Sequence, residues 1–336
     1  MKNLECIDNI QYHLYTISND DFEISVSDYG ATLFNYKYHD IDIVMGFDNV
    51  DGYINDVKYM NATIGRVCNR IKDGHFVLNG TDYYLYQNNA GNCLHGGKEG
   101  FDTKKWDVSV NDNQIICTYL SKDMEEGFSG NLQVKVVYTL LANGLQFAYE
   151  ATSDKDTLCN ICNHAFFNIN GCDSKTVLND HLMINANKIG MIDSDGCTLN
   201  DTLDVDNTPF DFRKRKLIGK DIDSDHIQIL NAHGYDHHFI IDGEGFRNFG
   251  TYDNGKLALD IYSDLDGMHV YSGNFLDGTS NGKNGNNYPF RSSICFETQY
   301  YPNAINTTDH VKPILRKNEV FRHVTRYLVR EIKDED

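Results

Sequence analysis

Five polar clusters in this sequence could carry chemistry, because each lies in an apolar or glycine-rich setting; they occupy residues 64–71, 88–101, 159–168, 233–241 and 294–302. In the last of them, Glu297 interrupts an apolar, aromatic run. Burying a carboxylate is costly unless it is paired or functional, so Glu297 is the strongest candidate for a general base. A strand position that faces solvent is the alternative. An ionised carboxylate can accept a proton at neutral pH, and a nearby histidine would be the matching acid.

Two histidines could provide that acid. His164 ends the segment 159–164, which we interpret as a strand whose residues alternate between two faces. On this interpretation Cys159 and Cys162 fill the strand, and His164 is either a satisfied core histidine or a functional group. A Cys-x-x-Cys pair near a histidine also suggests zinc or redox chemistry, but no second ligand pair with finger-like spacing occurs in the sequence.

The other histidine, His95, precedes Gly96-Gly97 in a segment crowded with glycine and asparagine. Glycine lets the backbone approach a ligand closely, so this segment is a candidate wall of a binding site, with free space beside the imidazole. A tight surface turn is the alternative, because turns use glycine and asparagine for conformational reasons.

Groups that could bind hydroxyls occur in two further clusters. Arg70, next to Asn69, lies between apolar residues, and the rigid fork of arginine suits hydroxyls and carboxylates held at a fixed angle. Asp236 begins an apolar segment, where its carboxylate could hold paired sugar hydroxyls. The following His237 and His238 point to opposite faces of a strand, so they cannot easily share one metal ion.

Composition excludes several classes of function. The net charge of -19, from 30 basic and 49 acidic residues, argues against nucleic acid and anionic membranes as partners. No nucleophile motif, phosphate-cradling loop or nucleotide fingerprint is present. The nine scattered cysteines indicate reduced core residues in a cytoplasmic protein, and neither a signal peptide nor a transmembrane segment is evident. The clusters therefore favour proton transfer on a neutral, hydroxyl-rich ligand.

Short alternating segments separated by Asn-Gly, Asp-Gly or Asn/Asp clusters must position these groups. Hairpins are predicted over residues 75–86, 108–119, 134–151 and 251–262, and a closing strand over 320–329. Short helices are predicted only at 51–59 and 224–230. This spacing predicts an all-β sandwich or barrel, and we expect residues 1–336 to form one large antiparallel domain with a short acidic tail at 333–336.

Six motifs in order resemble the aldose 1-epimerase (galactose mutarotase) family. They are Asn69-Arg70-Ile71, Asn92 to Phe101, Asn163 to Asn168, Gly234 to His237, Tyr271 to Leu276 and Glu297 to Gln299. The match spans most of the chain, and the ordered set is specific where any single motif would be weak. The resemblance implies a large twisted β-sandwich with an open cleft, and interconversion of the α and β anomers of free hexoses.

The same resemblance implies a role for each site residue. Glu297 would take the proton from the C1 hydroxyl, His164 would protonate the ring oxygen, and His95 would hydrogen-bond near that oxygen. Asn69, Arg70 and Asp236 would hold sugar hydroxyls. No metal or organic cofactor is implied, and we expect a monomer or homodimer with a free hexose as its partner.

One departure from the family pattern concerns substrate preference. His269 and Val270 stand where relatives often carry glutamine and phenylalanine, so one hydroxyl contact, which we assign to His269, differs. Two alternatives to the epimerase remain at this point. One is a glycoside hydrolase that uses Asp236 and Glu297 as its carboxylate pair. The other is a non-catalytic carbohydrate-binding protein on the same fold.

Overall fold

The computed structural model describes residues 2–7, 10–55 and 58–333, which contain 28 strands and two short α-helices. The strands are β1 Lys2–Ile7, β2 Ile10–Ser18, β3 Phe22–Ser27, β4 Thr32–Tyr38, β5 Ile41–Asp42, β6 Thr63–Ile64, β7 Arg70–Ile71, β8 His75–Leu78, β9 Thr81–Tyr84, β10 Cys93–Leu94, β11 Asp107–Asn111, β12 Gln114–Ser121, β13 Leu132–Leu141, β14 Gly144–Ser153, β15 Thr157–Leu158, β16 Cys162–Asn163, β17 Phe166–Phe167, β18 His181–Ile184, β19 Ala186–Ile192, β20 Thr198–Asp204, β21 Lys216–Leu217, β22 Asp236–Ile241, β23 Arg247–Asp253, β24 Leu257–Ser263, β25 Gly267–Tyr271, β26 Ile294–Gln299, β27 Ile314–Leu315 and β28 Val320–Glu331. The helices are α1 Val50–Asn55 and α2 Ile227–Ala232.

Three antiparallel sheets make up most of the molecule. The largest has nine strands in the order β11-β12-β13-β14-β28-β24-β23-β18-β21. A six-stranded sheet has the order β17-β26-β25-β22-β19-β20, and a five-stranded sheet runs β1-β2-β3-β4-β5. Strand β28 lies inside the nine-stranded sheet, where it pairs with β14 on one side and with β24 on the other. Three sheets built from short strands confirm the predicted all-β class.

Alternation along the strands explains how the sheets pack. In β14, which is buried at alternate positions along most of its length, apolar side chains such as Phe147 and Tyr149 enter the core. The largest apolar core joins all three sheets, with members such as Val26, Tyr138 and Phe296. A core shared by the sheets confirms the sandwich. It also supports the proposal that the chain forms one domain.

Most predicted elements are present, with shifted ends. The four hairpins correspond to the pairs β8–β9, β11–β12, β13–β14 and β23–β24, and the closing strand is β28. The two predicted helices begin and end at different residues. Helix α1 ends at Asn55, and Tyr59 has a φ of 58°, so a helix cannot run to that residue. Of the predicted acidic tail, residues 334–336 lie outside the described residues.

The predicted strand over 159–164 is wrong. Only Cys162 and Asn163 form a strand there, β16, which pairs with β6, and Asn160 makes a separate bridge to Val67. Each of the six residues is buried, so no face of this segment is exposed to solvent. The eight cysteines whose side chains are described are free and buried, as expected. Among the described residues, no helix is both long and apolar enough to cross a membrane.

Candidate active site

A cavity of about 330 Å³ opens at one end of the six-stranded sheet. Its volume lies at the lower end of the range for small-molecule sites. The cavity is lined by all seven residues that the sequence singled out: Asn69, Arg70, His95, His164, Asp236, His269 and Glu297. A larger cavity of about 520 Å³ lies around residues 206–221, but its lining contains neither a histidine nor a glutamate. Of these two cavities, the smaller one holds the histidines and the glutamate that the sequence predicts for proton transfer.

The first wall comes from the pairing of β7 with β10, which brings Arg70 opposite Leu94. The backbone N–H of His95 donates to the Asn69 carbonyl at 3.1 Å. Asn69 and His95 both have positive φ, at 60° and 54°, an uncommon conformation for residues other than glycine. The Arg70 Nε donates to the Asn89 side chain at 2.9 Å, which fixes the direction of the guanidinium. These contacts hold the wall in place before any ligand is bound.

The His95 ring is fixed in one tautomer. The backbone N–H of Asn69 donates to His95 Nδ1 at 3.1 Å, so Nδ1 is the acceptor and the ring proton of the neutral form lies on Nε2. Burial, together with the nearby His164, Arg70 and His269, lowers the pKa of His95 well below its usual value. His95 is therefore a neutral hydrogen-bond donor near neutral pH, which suits it to assist and not to deliver the proton.

His164 and Glu297 meet at the base of the cavity. His164 Nε2 lies 3.4 Å from Glu297 Oε1, and both side chains are buried. The backbone of His164 is bonded on both sides, because its N–H donates to Ala62 and its carbonyl accepts from Asn61. Glu297 lies within β26, in the interior of the six-stranded sheet. Both groups therefore stand on well-supported backbone, as a proton-transfer pair requires.

His95, His164 and Glu297 also have the composition of a metal-binding group, with donor atoms within 4.8 Å of one another. The His95 tautomer opposes this interpretation. A histidine that binds a metal through Nε2 carries its proton on Nδ1 and donates it to an acceptor. Here Nδ1 already faces the N–H of Asn69, so two hydrogens would point at each other. The three groups fit proton transfer better than metal binding.

The opposite wall carries a second buried pair. His269 Nε2 donates to Asp236 Oδ1 at 2.7 Å, and the two residues lie on the neighbouring strands β25 and β22. Burial alone would raise the pKa of Asp236, but the hydrogen bond and charge of His269, with Arg70, lower it below its usual value. Asp236 is therefore an ionised acceptor, which suits it to bind hydroxyls. His269 also lies directly opposite Glu297 in the β25–β26 register.

One sequence interpretation is corrected here. Gly96 does not free space for a ligand, because a side chain there would collide with the Gly65 carbonyl, and its φ is 94°. Arg66 lies outside the cavity and is buried, where it donates to backbone carbonyls that include those of Ser129 and Gly130. Arg66 therefore stabilises the loop that carries these carbonyls, and burial lowers the pKa of Arg66 to about 10.

Two contributors to the site were not foreseen. Tyr59 packs against His95 with ring centroids 4.6 Å apart, and the sequence placed it only in a predicted helix. Cys162, interpreted as strand filler, donates through Sγ to Glu297 Oε2 at 3.7 Å. The predicted opposite directions of His237 and His238 fit their surroundings, since His237 packs on Phe210 and His238 on Tyr301. The family motif begins at Asn163, so the resemblance did not point to Cys162, which directly precedes it.

Comparisons with known proteins show the family to which this chain belongs. The aldose 1-epimerase family model matches residues 13–328. Galactose mutarotase from Bos taurus is 34% identical over 319 residues, covering 93% of this chain and 92% of that protein. Aldose 1-epimerase from Escherichia coli (strain K12) is 31% identical over 334 residues, covering 95% and 96%. The crystal structure of galactose 1-epimerase from Lactobacillus acidophilus NCFM has a TM-score of 0.89 at 27% identity and covers 98% of each chain. This chain therefore belongs to the aldose 1-epimerase family.

Proposed function

We propose that this protein is an aldose 1-epimerase that interconverts the α and β anomers of free hexoses such as galactose and glucose. The observation that carries the proposal is the pairing of His164 Nε2 and Glu297 Oε1 at 3.4 Å in the cavity. The reaction takes a proton from the C1 hydroxyl oxygen and gives one to the ring oxygen, and both oxygens are bonded to C1. An acid and a base that serve them must therefore be close neighbours, as these two are.

Ring opening uses each member of the pair once. Glu297 takes the proton from the C1 hydroxyl while the C1–O5 bond breaks, and protonated His164 gives its proton to O5. The aldehyde then rotates about C1–C2. On reclosure O5 attacks the other face of the carbonyl, returns its proton to His164, and O1 takes the proton back from Glu297. Each proton is restored, so no cofactor or external acid is consumed.

The remaining residues bind and orient the sugar. His95, through its Nε2–H, donates near the ring oxygen, where negative charge develops as the ring opens. Asn69, Arg70, Asp236 and His269 hold hydroxyls. The names of the relatives describe mutarotases and epimerases, so neither the glycoside hydrolase nor the non-catalytic sugar-binding alternative is favoured.

We also propose a cellular setting for the protein. The free, buried cysteines support a reducing compartment such as the cytoplasm. The net charge of -19 supports a neutral sugar as ligand, without nucleic acid or membrane partners. We further propose that the protein acts as a monomer or homodimer.

Polarimetry tests the reaction directly. Freshly dissolved α-galactose or α-glucose should reach its equilibrium rotation much faster with the protein than in buffer alone. No acceleration across several sugars and pH values would refute the proposed activity. Binding of sugar by calorimetry without acceleration would instead support the non-catalytic alternative.

Variants of His95 test the tautomer. His95→Ala is expected to lower kcat/KM by about 10- to 100-fold, because a donor to developing charge is lost. His95→Gln, whose terminal nitrogen reaches about as far as Nε2, should keep part of that activity. His95→Asn, which mimics Nδ1, should resemble alanine. If asparagine preserves the polarimetric rate and glutamine does not, the proton lies on the other nitrogen.

Variants of His269 test how Asp236 is held. His269→Leu removes the 2.7 Å hydrogen bond, so KM is expected to rise about tenfold, since a hydrogen bond to a charged group is lost. His269→Gln retains a donor and should raise KM less. Measuring KM for galactose and glucose separately shows whether the change alters sugar preference. A large fall in kcat with unchanged KM would contradict a binding role.

A further inference from the structure

The carboxylate of Glu297 has two side-chain partners among the described residues. His164 Nε2 lies 3.4 Å from Oε1, and Cys162 Sγ lies 3.7 Å from Oε2. We propose that the thiol of Cys162 is a positioning residue that fixes the Glu297 carboxylate so that Oε1 faces His164 and the cavity. This inference rests on the proposed function, because it takes Glu297 as the base.

The location of the thiol supports a positioning role. Cys162 lies on β16, whose pairing with β6 sets Cys162 opposite Ile64. It is fully buried in a small apolar cluster with Ala62, Ile64 and Cys68, and it does not line the cavity. Sugar therefore cannot contact Cys162, and any influence on the reaction must pass through Glu297.

The thiol remains protonated at the pH where the enzyme works. Burial raises the pKa of Cys162 well above its usual value, and the nearby Cys68 and Glu297 act in the same direction. A thiolate, which would repel the carboxylate, is therefore not formed. The same burial makes Cys162 a poor nucleophile, so its chemistry is limited to donating S–H.

A thiol suits this position because it is a weak donor. A strong or charged donor would stabilise the ionised carboxylate and so make it a poorer base. S–H can instead orient Oε2 with little loss of basicity. The carboxylate then has a fixed direction at the base of the cavity, which the geometry of proton transfer requires.

Infrared spectroscopy tests the contact without relying on activity. The S–H stretching band of Cys162 is obtained as the difference between the wild type and Cys162→Ala. In a Glu297→Gln background the same difference should place the band at higher frequency, because an amide oxygen is a weaker acceptor than a carboxylate. An unchanged band position would overturn the proposal.

Kinetics test the consequence. Cys162→Ala is expected to lower kcat about tenfold with KM nearly unchanged, because Glu297 is less well oriented. A variant that only loosened the fold would be expected to change KM and stability together with kcat. The kcat of Cys162→Ser, which retains a donor, should fall between those of Cys162→Ala and the wild type. Serine also nearly keeps the side-chain volume, so this variant serves if Cys162→Ala does not fold.

Ile64→Val is the matched control. Ile64 is buried in the same cluster and lies directly opposite Cys162, but its side chain has no group that can hydrogen-bond to Glu297. This variant should cost stability and leave kcat nearly unchanged. An equal loss of kcat in Cys162→Ala and Ile64→Val would indicate loosened packing and overturn the proposal. Absence of mutarotation in the wild type, with the infrared shift present, would refute the function while leaving the contact intact.

Discussion

Replacing Glu297 by glutamine is expected to lower kcat about 1000-fold, within the range known for general acid–base groups. Glutamine has nearly the same shape and remains uncharged, so the fold should be kept while the group can no longer accept the proton of the C1 hydroxyl. The rate of approach to equilibrium rotation measures the effect. Sugar binding, followed by calorimetry, should change far less, because the hydroxyl-binding residues remain.

The other carboxylate in the cavity provides the matched control. Asp236→Asn removes one negative charge from the same cavity, but the carboxylate of Asp236 is paired with His269, whereas that of Glu297 is paired with His164. This variant should raise KM and leave most of kcat. A nearly normal kcat in Glu297→Gln, together with a large loss in Asp236→Asn, would assign the base to Asp236 and reopen the hydrolase alternative.

Replacing His164 by alanine is expected to lower kcat about 100- to 1000-fold, because the ring oxygen would have to take its proton from water. His164→Asn, which leaves a smaller void, should show a similar loss if proton transfer is the cause. The loss should exceed that of His95→Ala, whose ring only donates a hydrogen bond.

Added imidazole separates this role from a structural one. The void left in His164→Ala opens on the cavity, so imidazole should restore part of the rate in a pH-dependent way. No rescue, combined with loss of sugar binding, would show that the ring mainly supports the cavity wall through its contact with Phe166, whose ring centroid lies 5.0 Å away.

The sequence predicted those features that depend on local residue types or on local periodicity. Glu297 was found because a charge inside an apolar run needs a reason, and the run is indeed a buried strand. Repeated Asn-Gly turns predicted the hairpins correctly. The convergence of His95, His164 and Glu297 on one cavity came from the order of motifs, since periodicity alone cannot bring distant segments together.

Other features depend on tertiary contacts that no local pattern encodes. Cys162 looked like filler because regular alternation was assumed over six residues, whereas β16 has only two, held by β6. Asn69 has a positive φ where its carbonyl accepts from the backbone N–H of His95, and asparagine alone does not reveal this conformation. The structural role of Arg66 is also hidden in the sequence, because its carbonyl acceptors, such as that of Ser129, lie far away along the chain.

The central place of β28 in the nine-stranded sheet bears on how the protein is made. Strands β11–β14 form a continuous meander that can pair as it is synthesised, but β24 can join them only through residues 320–331. Such distant pairings are slow to form and leave strand edges unpaired until they do. During translation, the edges of β14 and β24 therefore stay unpaired until residues 320–331 have been synthesised, and we expect these edges to be open to wrong pairing up to that point.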